Sequence, residues 1–276
     1  MGLASSTYYH QPKQLASEHL LRDADLRDKI ESIQAEFNGY GYRRIYQHML
    51  REGVRVNTKR IRRIMREYSL RPIVYKTFKV NTTDSKHAHR IYPNETKGRE
   101  VTGLNQVWVT DLSYIRILTT FVYVAVILDI YSRRVIGWAV ADHLGHELCL
   151  EALKVAIKKR RPQQGCVHHS DRGVQYACEK YTDVLKQNEF IISMSAKGNP
   201  YDNAHMESFF KSLKYEEVHL WNYETMQDVL ERLPVFIEEV YNKKRLHSGI
   251  GYKPPVEFER DLQLMKRADR PTLTIA

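Results

Sequence analysis

Three segments with the composition of β-strands follow one another closely in this chain. They cover residues 106–117, 121–131 and 135–140, are rich in Val, Ile, Tyr and Trp, and are separated by short polar breaks. Strands that follow one another with short connections usually pair with their neighbours. The sequence therefore predicts a three-stranded antiparallel meander.

Helices and strands alternate after this meander. Strands are predicted over residues 166–169 and 190–194, and helices are predicted over residues 146–159, 176–187 and 203–215. The order β-β-β-α-β-α-β-α is typical of an α/β fold with a mixed sheet and helices on its faces. The 276 residues are enough for one large domain or two modest ones, since a typical domain has about 150 residues.

The beginning of the chain has a helical pattern instead. Apolar residues recur at helical spacing over residues 26–37, over residues 42–52, and after a cap at Asn57 or Thr58. The last two segments have the outline of a helix-turn-helix, in which the second helix enters the DNA major groove. The expected inward-facing residues are Leu26, Ile30, Ile33, Phe37, Ile45, Met49, Leu50, Ile61, Ile64 and Met65.

Positive charge is concentrated in the same part of the chain. Residues 1–100 hold 20 Lys and Arg against 11 Asp and Glu, whereas residues 101–276 hold 23 against 22. This imbalance is typical of a nucleic-acid contact, and a solvated charged face is the alternative. The residues predicted to contact DNA here are Arg43, Arg44, Lys59, Arg60, Arg62, Arg63 and Arg66.

These patterns divide the chain into three parts. Residues 1–70 are predicted to form a small all-α helix-turn-helix region, residues 71–104 a linker or arm with little periodic apolarity, and residues 105–276 the α/β domain with a C-terminal helical tail. The longest uncharged apolar run, residues 121–128, is far shorter than the roughly 20 residues of a membrane span. Three cysteines without CxxC spacing favour the reducing cytoplasm.

Three acidic residues occupy unusual places in this pattern. Asp111 lies inside the first strand, Asp171 directly follows the fourth strand, and Glu207 lies in the helix after the fifth. A carboxylate within an apolar strand is costly unless a partner or an ion compensates it. If the sheet brings the three acids together, Mg²⁺ is the natural ion to bind them, with Mn²⁺ as the alternative. Two such ions about 4 Å apart can cleave and rejoin phosphodiesters.

The helix around Glu207 carries further candidate DNA contacts. Asn203, Glu207, Lys211 and Lys214 follow one another at intervals of four, four and three residues, and so share one polar face. Lysines beside a metal ligand suit a site that binds a phosphate backbone. Taken alone, this segment also fits an ordinary amphipathic surface helix.

Three other polar residues are candidates for contacts with phosphate or with a metal ion. Arg245 and His247 lie in a basic stretch and are predicted to contact phosphate, the alternative being simple exposure at a helix end. Asp129 lies near the end of the second strand, where we expect a structural partner rather than a metal. No GxxxxGK motif is present in the sequence, which excludes a scheme driven by ATP through that motif.

The sequence around the three acids resembles the DDE signature of insertion-sequence transposases and retroviral integrases. The matching segments are Trp108-Val109-Thr110-Asp111, His169-Ser170-Asp171-Arg172-Gly173 and Asn199-Pro200-Tyr201-Asp202-Asn203-Ala204-His205-Met206-Glu207-Ser208-Phe209-Phe210. Between Asp171 and Glu207 lie 35 residues, the spacing for which the D,D-35-E superfamily is named. Along nearly its full length, including residues 6–9, 40–45 and 241–255, the chain is similar to the second-frame product of the insertion-sequence-three family.

This resemblance implies a transposase with an RNase H-like fold that cleaves DNA ends and transfers strands. Asp111, Asp171 and Glu207 would bind two divalent ions, Mg²⁺ or Mn²⁺. The implied partners are double-stranded DNA at the transposon ends and target, further copies in a homo-multimer, and an upstream-frame helix-turn-helix product joined by frameshifting. The implied location is the bacterial cytoplasm, in association with the nucleoid. A hydrolytic RNase H-like nuclease and a DNA-binding regulator without catalysis are the alternatives.

Overall fold

The computed structural model describes residues 17–73, 88–196 and 203–275. The chain divides into two compact units after Ile73. Residues 17–73 are called the helical unit, and the described residues from 88 to 275 are called the α/β unit. The matching segments at residues 6–9 and 199–202 lie outside the described residues. No described helix is both long and apolar enough to cross a lipid bilayer.

The helical unit contains the three helices that the apolar spacing predicts. They are α1 (Ser17–Glu36), α2 (Tyr42–Arg51) and α3 (Thr58–Glu67). Asn57 is the cap of α3, because its side chain accepts a 2.8 Å hydrogen bond from the Lys59 amide. The cap therefore satisfies one of the amides that the first turn of a helix leaves without a partner.

The predicted core of the helical unit is buried except for Leu50. Ile45 and Met49 of α2 are fully buried, whereas Leu50 is 41% exposed. Successive helical residues are rotated by about 100°, so Leu50 lies outside the narrow face that Ile45 and Met49 share. The prediction that Leu50 faces inward is wrong.

A buried acid of α1 holds α3 in place. Asp23 is 6% exposed and accepts hydrogen bonds from Arg60 Nε at 2.7 Å and from Arg63 Nη2 at 2.6 Å. Burial alone would raise the pKa of Asp23, but the two guanidinium groups outweigh burial and hold the pKa below its ordinary value. The structure therefore gives Arg60 and Arg63, which we predicted to contact DNA, an internal role that joins α3 to α1.

The α/β unit is built on a mixed β-sheet, as predicted. Its strands are β1 (Glu100–Val101), β2 (Val107–Arg116), β3 (Phe121–Asp129), β4 (Val135–Ala141), β5 (Val167–Ser170), β6 (Ile191–Met194) and β7 (Leu273–Thr274). Five of them form one sheet in the order β4-β3-β2-β5-β6. β4, β3 and β2 are the predicted antiparallel meander, whereas β5 pairs in parallel with β2 and with β6.

The remaining two strands form a short antiparallel ribbon. β1 pairs with β7, and the Gly98 amide donates a 2.9 Å hydrogen bond to the carbonyl of Ile275. Part of the segment that we predicted to be a linker or arm, residues 71–104, is therefore paired with the end of the described chain. Two-residue strands are too short to carry a periodic pattern, so this ribbon has no signal in the sequence.

Seven helices of the α/β unit are described. They are α4 (His146–Arg160), α5 (Val174–Ala177), α6 (Glu179–Gln187), α7 (Ala204–Leu213), α8 (His219–Trp221), α9 (Met226–Pro234) and α10 (Pro255–Leu264). π-Helical turns follow α7 at Lys214–Val218 and α9 at Val235–Tyr241. The single helix predicted over residues 176–187 is interrupted at Cys178, whose backbone is extended with ψ of 149°.

Apolar layers cover both faces of the five-stranded sheet. Val109 of β2 belongs to the layer that includes α7 and α9, and the neighbouring Trp108 belongs to the layer that includes α4 and α6. This alternation follows from the two-residue period of a strand. Gly137 of β4 allows α4 to lie very close, because a Cβ at Gly137 would be 2.7 Å from Cβ of Ala156.

The predicted C-terminal helical tail is part of the α/β core. Phe258 and Leu262 of α10 are buried in the same layer as α7. Glu259 is 5% exposed and pairs with both Arg134 and Arg160. These buried ion pairs fasten α10 to the end of α4 and to the turn between β3 and β4.

Asp129 has the structural role that we expected for it. It is fully buried, and its carboxylate accepts hydrogen bonds from the amides of Asn105 at 2.7 Å and Tyr131 at 3.0 Å. Burial raises the pKa of Asp129 to about 6, although the nearby Arg160 opposes the rise. The carboxylate thus closes the turn after β3.

We expect Asp23→Asn to destabilise the protein by about 2 kcal/mol, because it leaves Arg60 and Arg63 without their shared carboxylate. The measurement is urea-induced unfolding of the full chain near neutral pH, followed by the helical circular dichroism signal. The matched control is Asp28→Asn, since Asp28 pairs with Arg27 at an exposed position and should change stability little. Equal effects of the two substitutions would contradict the proposed role of Asp23.

Candidate active site

The parallel pairing of β2 and β5 brings Asp111 and Asp171 to the same place. Val109 of β2 lies opposite His169 of β5, and each acid follows its paired residue by two positions. Side chains two positions apart on a strand share a face. Asp111 therefore lies on the face of the sheet where Val109 contributes to the layer with α7.

Glu207 reaches the same region from α7. This helix buries its apolar face in the layer that contains Val109, and Glu207 is left exposed. The Asn203 side-chain amide donates a 3.2 Å hydrogen bond to the carbonyl of Thr110, which directly precedes Asp111. This hydrogen bond fixes the beginning of α7 beside the acid in β2.

The pKa of Asp111 reports the proximity of all three acids. It is raised to about 8, first by burial and next by the negative charge of Asp171, with a further rise from Glu207. The Leu112 amide and the charge of Lys214 act in the opposite direction. Asp111 is therefore held in a field that disfavours its ionised form.

The three predicted acids are close enough to interact, but their oxygens do not form one ligand set. Asp111 Oδ1 accepts a 2.8 Å hydrogen bond from the Leu112 amide, and Asp171 Oδ1 accepts a 2.9 Å hydrogen bond from the Gly173 amide. Across residues 17–73, 88–196 and 203–275, no group of three His, Cys, Asp or Glu side chains is arranged to hold a metal. The backbone amides thus take up one oxygen of each aspartate.

A buried oxygen beside the acids indicates what kind of ligand would fit. Asn203 Oδ1 is buried and has no hydrogen-bond partner among the described residues. A buried acceptor without a partner is costly unless water, an ion or a ligand satisfies it. Like the carboxylates of Asp111, Asp171 and Glu207, this amide oxygen is a hard donor of the type that Mg²⁺ prefers.

The two predicted lysines of this region have different surroundings. Lys214 Nζ lies 4.4 Å from the ring centroid of Tyr114, and burial lowers its pKa while the charge of Asp111 raises it. Lys211 is exposed, with Nζ 5.8 Å from the ring centroid of Tyr215. Lys214 therefore lies within electrostatic reach of the acids, and Lys211 faces solvent.

Sequence reasoning included Gly173 in the motif around Asp171 without assigning it a role, and it did not identify Tyr114 as part of this site. A Cβ at Gly173 would lie 3.0 Å from Asp171 Oδ1, so glycine leaves room for the carboxylate to approach the amide. A glycine two residues after a candidate acid is a readable signal of close approach. Tyr114 offered no such signal, because aromatic residues are common in strands.

The structure does not support phosphate contacts by Arg245 and His247. Arg245 is 4% exposed, and its Nε and Nη2 donate hydrogen bonds of 2.7 and 2.6 Å to the carboxylate of Glu216. His247 is 8% exposed, with its ring 4.6 Å from the ring of Tyr241. Both the predicted phosphate contact and the alternative of an exposed helix end are corrected, since burial and internal pairing place these side chains in the core.

The remaining predicted DNA contacts belong to the helical unit. Arg43, Lys59, Arg62 and Arg66 are exposed, as a DNA contact requires. Arg44 is half-buried, and its guanidinium carbon lies 5.6 Å from the ring centroid of Tyr40. Four of the predicted cations therefore lie at the surface, in contrast to the two that contact Asp23.

Family models match three segments of the chain. An integrase core domain matches residues 102–200, and another model of the integrase core domain matches residues 188–255. An HTH-like domain matches residues 21–78. The integrase core matches include Asp111, Asp171 and Glu207 between them.

Curated relatives are similar over most of the chain. The transposase for insertion sequence element IS904 of Lactococcus lactis is 36% identical, over 85% of this chain and 93% of the relative. The transposase for IS629 of Shigella sonnei is 33% identical, over 94% of this chain and 89% of the relative. The transposase InsF for insertion sequence IS3A of Escherichia coli is 34% identical, over 80% of this chain and 76% of the relative.

A solved structure has a similar fold. A chain of the simian T-cell lymphotropic virus intasome, in complex with PP2A regulatory subunit B56 gamma, aligns with a TM-score of 0.52. The two chains are 14% identical, and the alignment covers 88% of this chain and 77% of the other. Together with the mixed sheet and its flanking helices, this similarity confirms the predicted fold class.

We expect Asp111→Asn to stabilise the protein in the presence of a chelator. The folded-state pKa of about 8 exceeds the ordinary 3.8, so ionisation of Asp111 destabilises the fold increasingly as pH rises from about 4 to about 8. The gain in melting temperature should be larger at about pH 9 than at about pH 6. Asp228→Asn is the control and should destabilise the protein, because hydrogen bonds from Thr225 and Glu224 lower the pKa of Asp228 and so stabilise its ionised form in the folded state. An equal gain at both pH values would contradict the raised pKa.

Proposed function

The chain belongs to the IS3 family of insertion-sequence transposases, and we propose that Asp111, Asp171 and Glu207 are its catalytic carboxylates. The observation that carries this proposal is the parallel register of β2 and β5, which sets Asp111 next to Asp171. The hydrogen bond from Asn203 to Thr110 holds the beginning of α7, the helix of Glu207, at the same strand. Folding gains nothing from placing three acids within reach of one another, since their repulsion destabilises the ionised forms. A role that uses divalent cations explains the arrangement.

We further propose that the carboxylates bind two Mg²⁺ ions, for which Mn²⁺ substitutes. When bound, such ions activate a water or a 3′-hydroxyl and stabilise the leaving oxygen of a phosphodiester. Asp111, Asp171 and Glu207 are the metal ligands in this proposal. Asn203 Oδ1, which has no hydrogen-bond partner among the described residues, could accept a hydrogen bond from a water bound to such an ion. Because the donor atoms of these residues are all oxygens, they favour a hard divalent ion over a soft one.

Other residues of this chain prepare the carboxylates and the DNA. The Gly173 amide orients Asp171, and the hydrogen bond from Asn203 to Thr110 keeps α7 beside β2. Burial and the charges of Asp171 and Glu207 raise the pKa of Asp111, so the binding of a divalent cation there would be coupled to the release of a proton. Lys214, close to the acids, and Lys211, at the surface, are proposed to contact the phosphate backbone.

The proposed substrate is double-stranded DNA, at the ends of the element and at the target. The proposed assembly is a homo-multimer on DNA, in which the chain is fused to an upstream-frame helix-turn-helix product. The exposed cations Arg43, Lys59, Arg62 and Arg66 of the helical unit support a DNA contact by that unit. We place this assembly in the bacterial cytoplasm, in association with the nucleoid.

Strand transfer tests the catalytic assignment. Glu207→Gln should abolish joining of a labelled, pre-cleaved element end to target DNA, because the amide cannot replace a metal-binding carboxylate. DNA binding should be retained, and chelator should abolish the wild-type reaction while Mg²⁺ or Mn²⁺ restores it. The matched control is Glu231→Gln, which should retain joining. Glu231 lies at an exposed position of α9, where it accepts a hydrogen bond from Gln227. Retained joining by Glu207→Gln would refute the assignment, and hydrolysis without joining by the wild type would favour a nuclease.

Gly173→Ala tests the orientation of Asp171. The added methyl group would meet Asp171 Oδ1 at 3.0 Å and displace the carboxylate by a few tenths of an ångström. We expect strand transfer to fall about tenfold with little loss of stability, since small displacements of catalytic groups are costly. Gly103→Ala is the control, because its nearest neighbour would be the Gln106 side chain at 3.5 Å. Equal activity of the two variants would argue against this role of Gly173.

A further inference from the structure

The cations of α3 fall into two groups with different surroundings. Arg60 and Arg63 pair with the buried Asp23. Lys59, Arg62 and Arg66 are exposed and are neighbours on the helix surface, since they follow one another by three and four residues. Among the described residues, no acidic side chain forms an ion pair with any of these three. The second group is therefore the better positioned of the two to meet an external anion.

Arg62 differs from its two exposed neighbours because its guanidinium group is held by an aromatic ring. Its guanidinium carbon lies 5.0 Å from the ring centroid of Tyr42, the half-buried first residue of α2. The guanidinium carbon of Arg43 lies 5.5 Å from the same centroid. The beginning of α2 thus supports a side chain that projects from the middle of α3.

This contact matters because an exposed arginine normally samples many conformations. Ordering such a side chain on binding costs about 0.5–1.5 kcal/mol, and a side chain that is ordered beforehand avoids part of that cost. A guanidinium group also presents a planar pair of donors that matches O6 and N7 of guanine in the major groove. Lysine, as at Lys59, offers a point charge that suits phosphate and discriminates poorly between bases.

We infer that Arg62 is the base-reading residue of the helical unit and that Tyr42 is the positioning residue that holds its guanidinium group. Lys59 and Arg66 contact the phosphate backbone on either side. The ligand is duplex DNA with a guanine in the major groove opposite Arg62. This inference rests on the proposed DNA contact of the helical unit and adds which side chain carries the sequence preference.

The first experiment separates base reading from phosphate contact. The full chain selects binders from a duplex library with a randomised centre, and affinities are then measured for the selected duplex and for a scrambled duplex. Arg62→Ala should reduce the preference for the selected duplex by about tenfold or more, with little change for the scrambled one. Lys59→Ala should weaken the binding of both duplexes equally. It should also reduce the slope of log affinity against log salt concentration by about one.

The second experiment tests the role of Tyr42. Tyr42→Phe should keep the preference, because phenylalanine retains the ring face, and Tyr42→Ala should reduce it. Tyr42→Ala should add nothing in the Arg62→Ala background if Tyr42 acts through Arg62. The matched control is Tyr68→Ala, since Tyr68 forms a similar contact with Arg27, 5.3 Å away, elsewhere in the unit. Circular dichroism of each variant verifies that the helices are retained.

The outcomes distinguish the role of Arg62 from the proposed DNA contact of the helical unit. If the wild-type chain binds no duplex, the proposed DNA contact of the helical unit fails. If it binds duplexes but selects no sequence, the base-reading role of Arg62 is overturned while the DNA contact stands. If it selects a sequence and Arg62→Ala weakens all duplexes equally, Arg62 contacts phosphate and the inference is overturned while the DNA contact stands. A full additional effect of Tyr42→Ala in the Arg62→Ala background would overturn the positioning role of Tyr42.

Discussion

The pairing of one short parallel strand with the central strand of the meander determines where the chemistry of this protein can occur. β5 pairs with β2 over three residues, Val107 to Val109, and the register there sets Asp171 next to Asp111. A shift of that register by one residue would turn one of the acids to the opposite face of the sheet. α7 completes the arrangement because its apolar face packs on the same layer and the Asn203 side chain bonds to β2. Three segments that are far apart in the sequence thus bring their acids together through ordinary sheet and helix packing.

Much of this arrangement follows from the sequence. Strand composition predicted the meander, and helical spacing predicted the three helices of the helical unit together with α4 and α7 of the α/β unit. The helices within the predicted C-terminal tail were not resolved one by one. The place of Asp111 inside an apolar strand is unusual enough to single it out by pattern alone. What could not be predicted depends on long-range contacts. The burial of Arg245 requires Glu216, 29 residues earlier in the chain, and the role of Arg60 and Arg63 requires Asp23, about 40 residues earlier. The interruption at Cys178 also left no trace in the apolar periodicity.

The sequence alone could not distinguish arginines that contact DNA from arginines that pair with acids inside the protein. A basic stretch has the same composition whether its cations face solvent or pair with buried acids, and composition alone favours nucleic acid in both cases. In this protein, burial separates the two uses. Arg60, Arg63 and Arg245 pair with acids that are buried or nearly so, whereas Arg43, Arg62 and Arg66 lie at the surface. A count of charges along a chain therefore gives an upper limit for the cations that a DNA phosphate can meet.

The ribbon formed by β1 and β7 has a mechanical consequence. The chain enters the described part of this ribbon near Gly98 and leaves it near Ile275, and these two residues are hydrogen-bonded to each other. A force that drew the segments before and after the ribbon apart would load its hydrogen bonds one after another, as in peeling, instead of all at once. The two strands would then separate at low force before the load reached the five-stranded sheet, which lies between them along the chain. The ribbon is thus suited to give way first under tension and to close again when the tension is released.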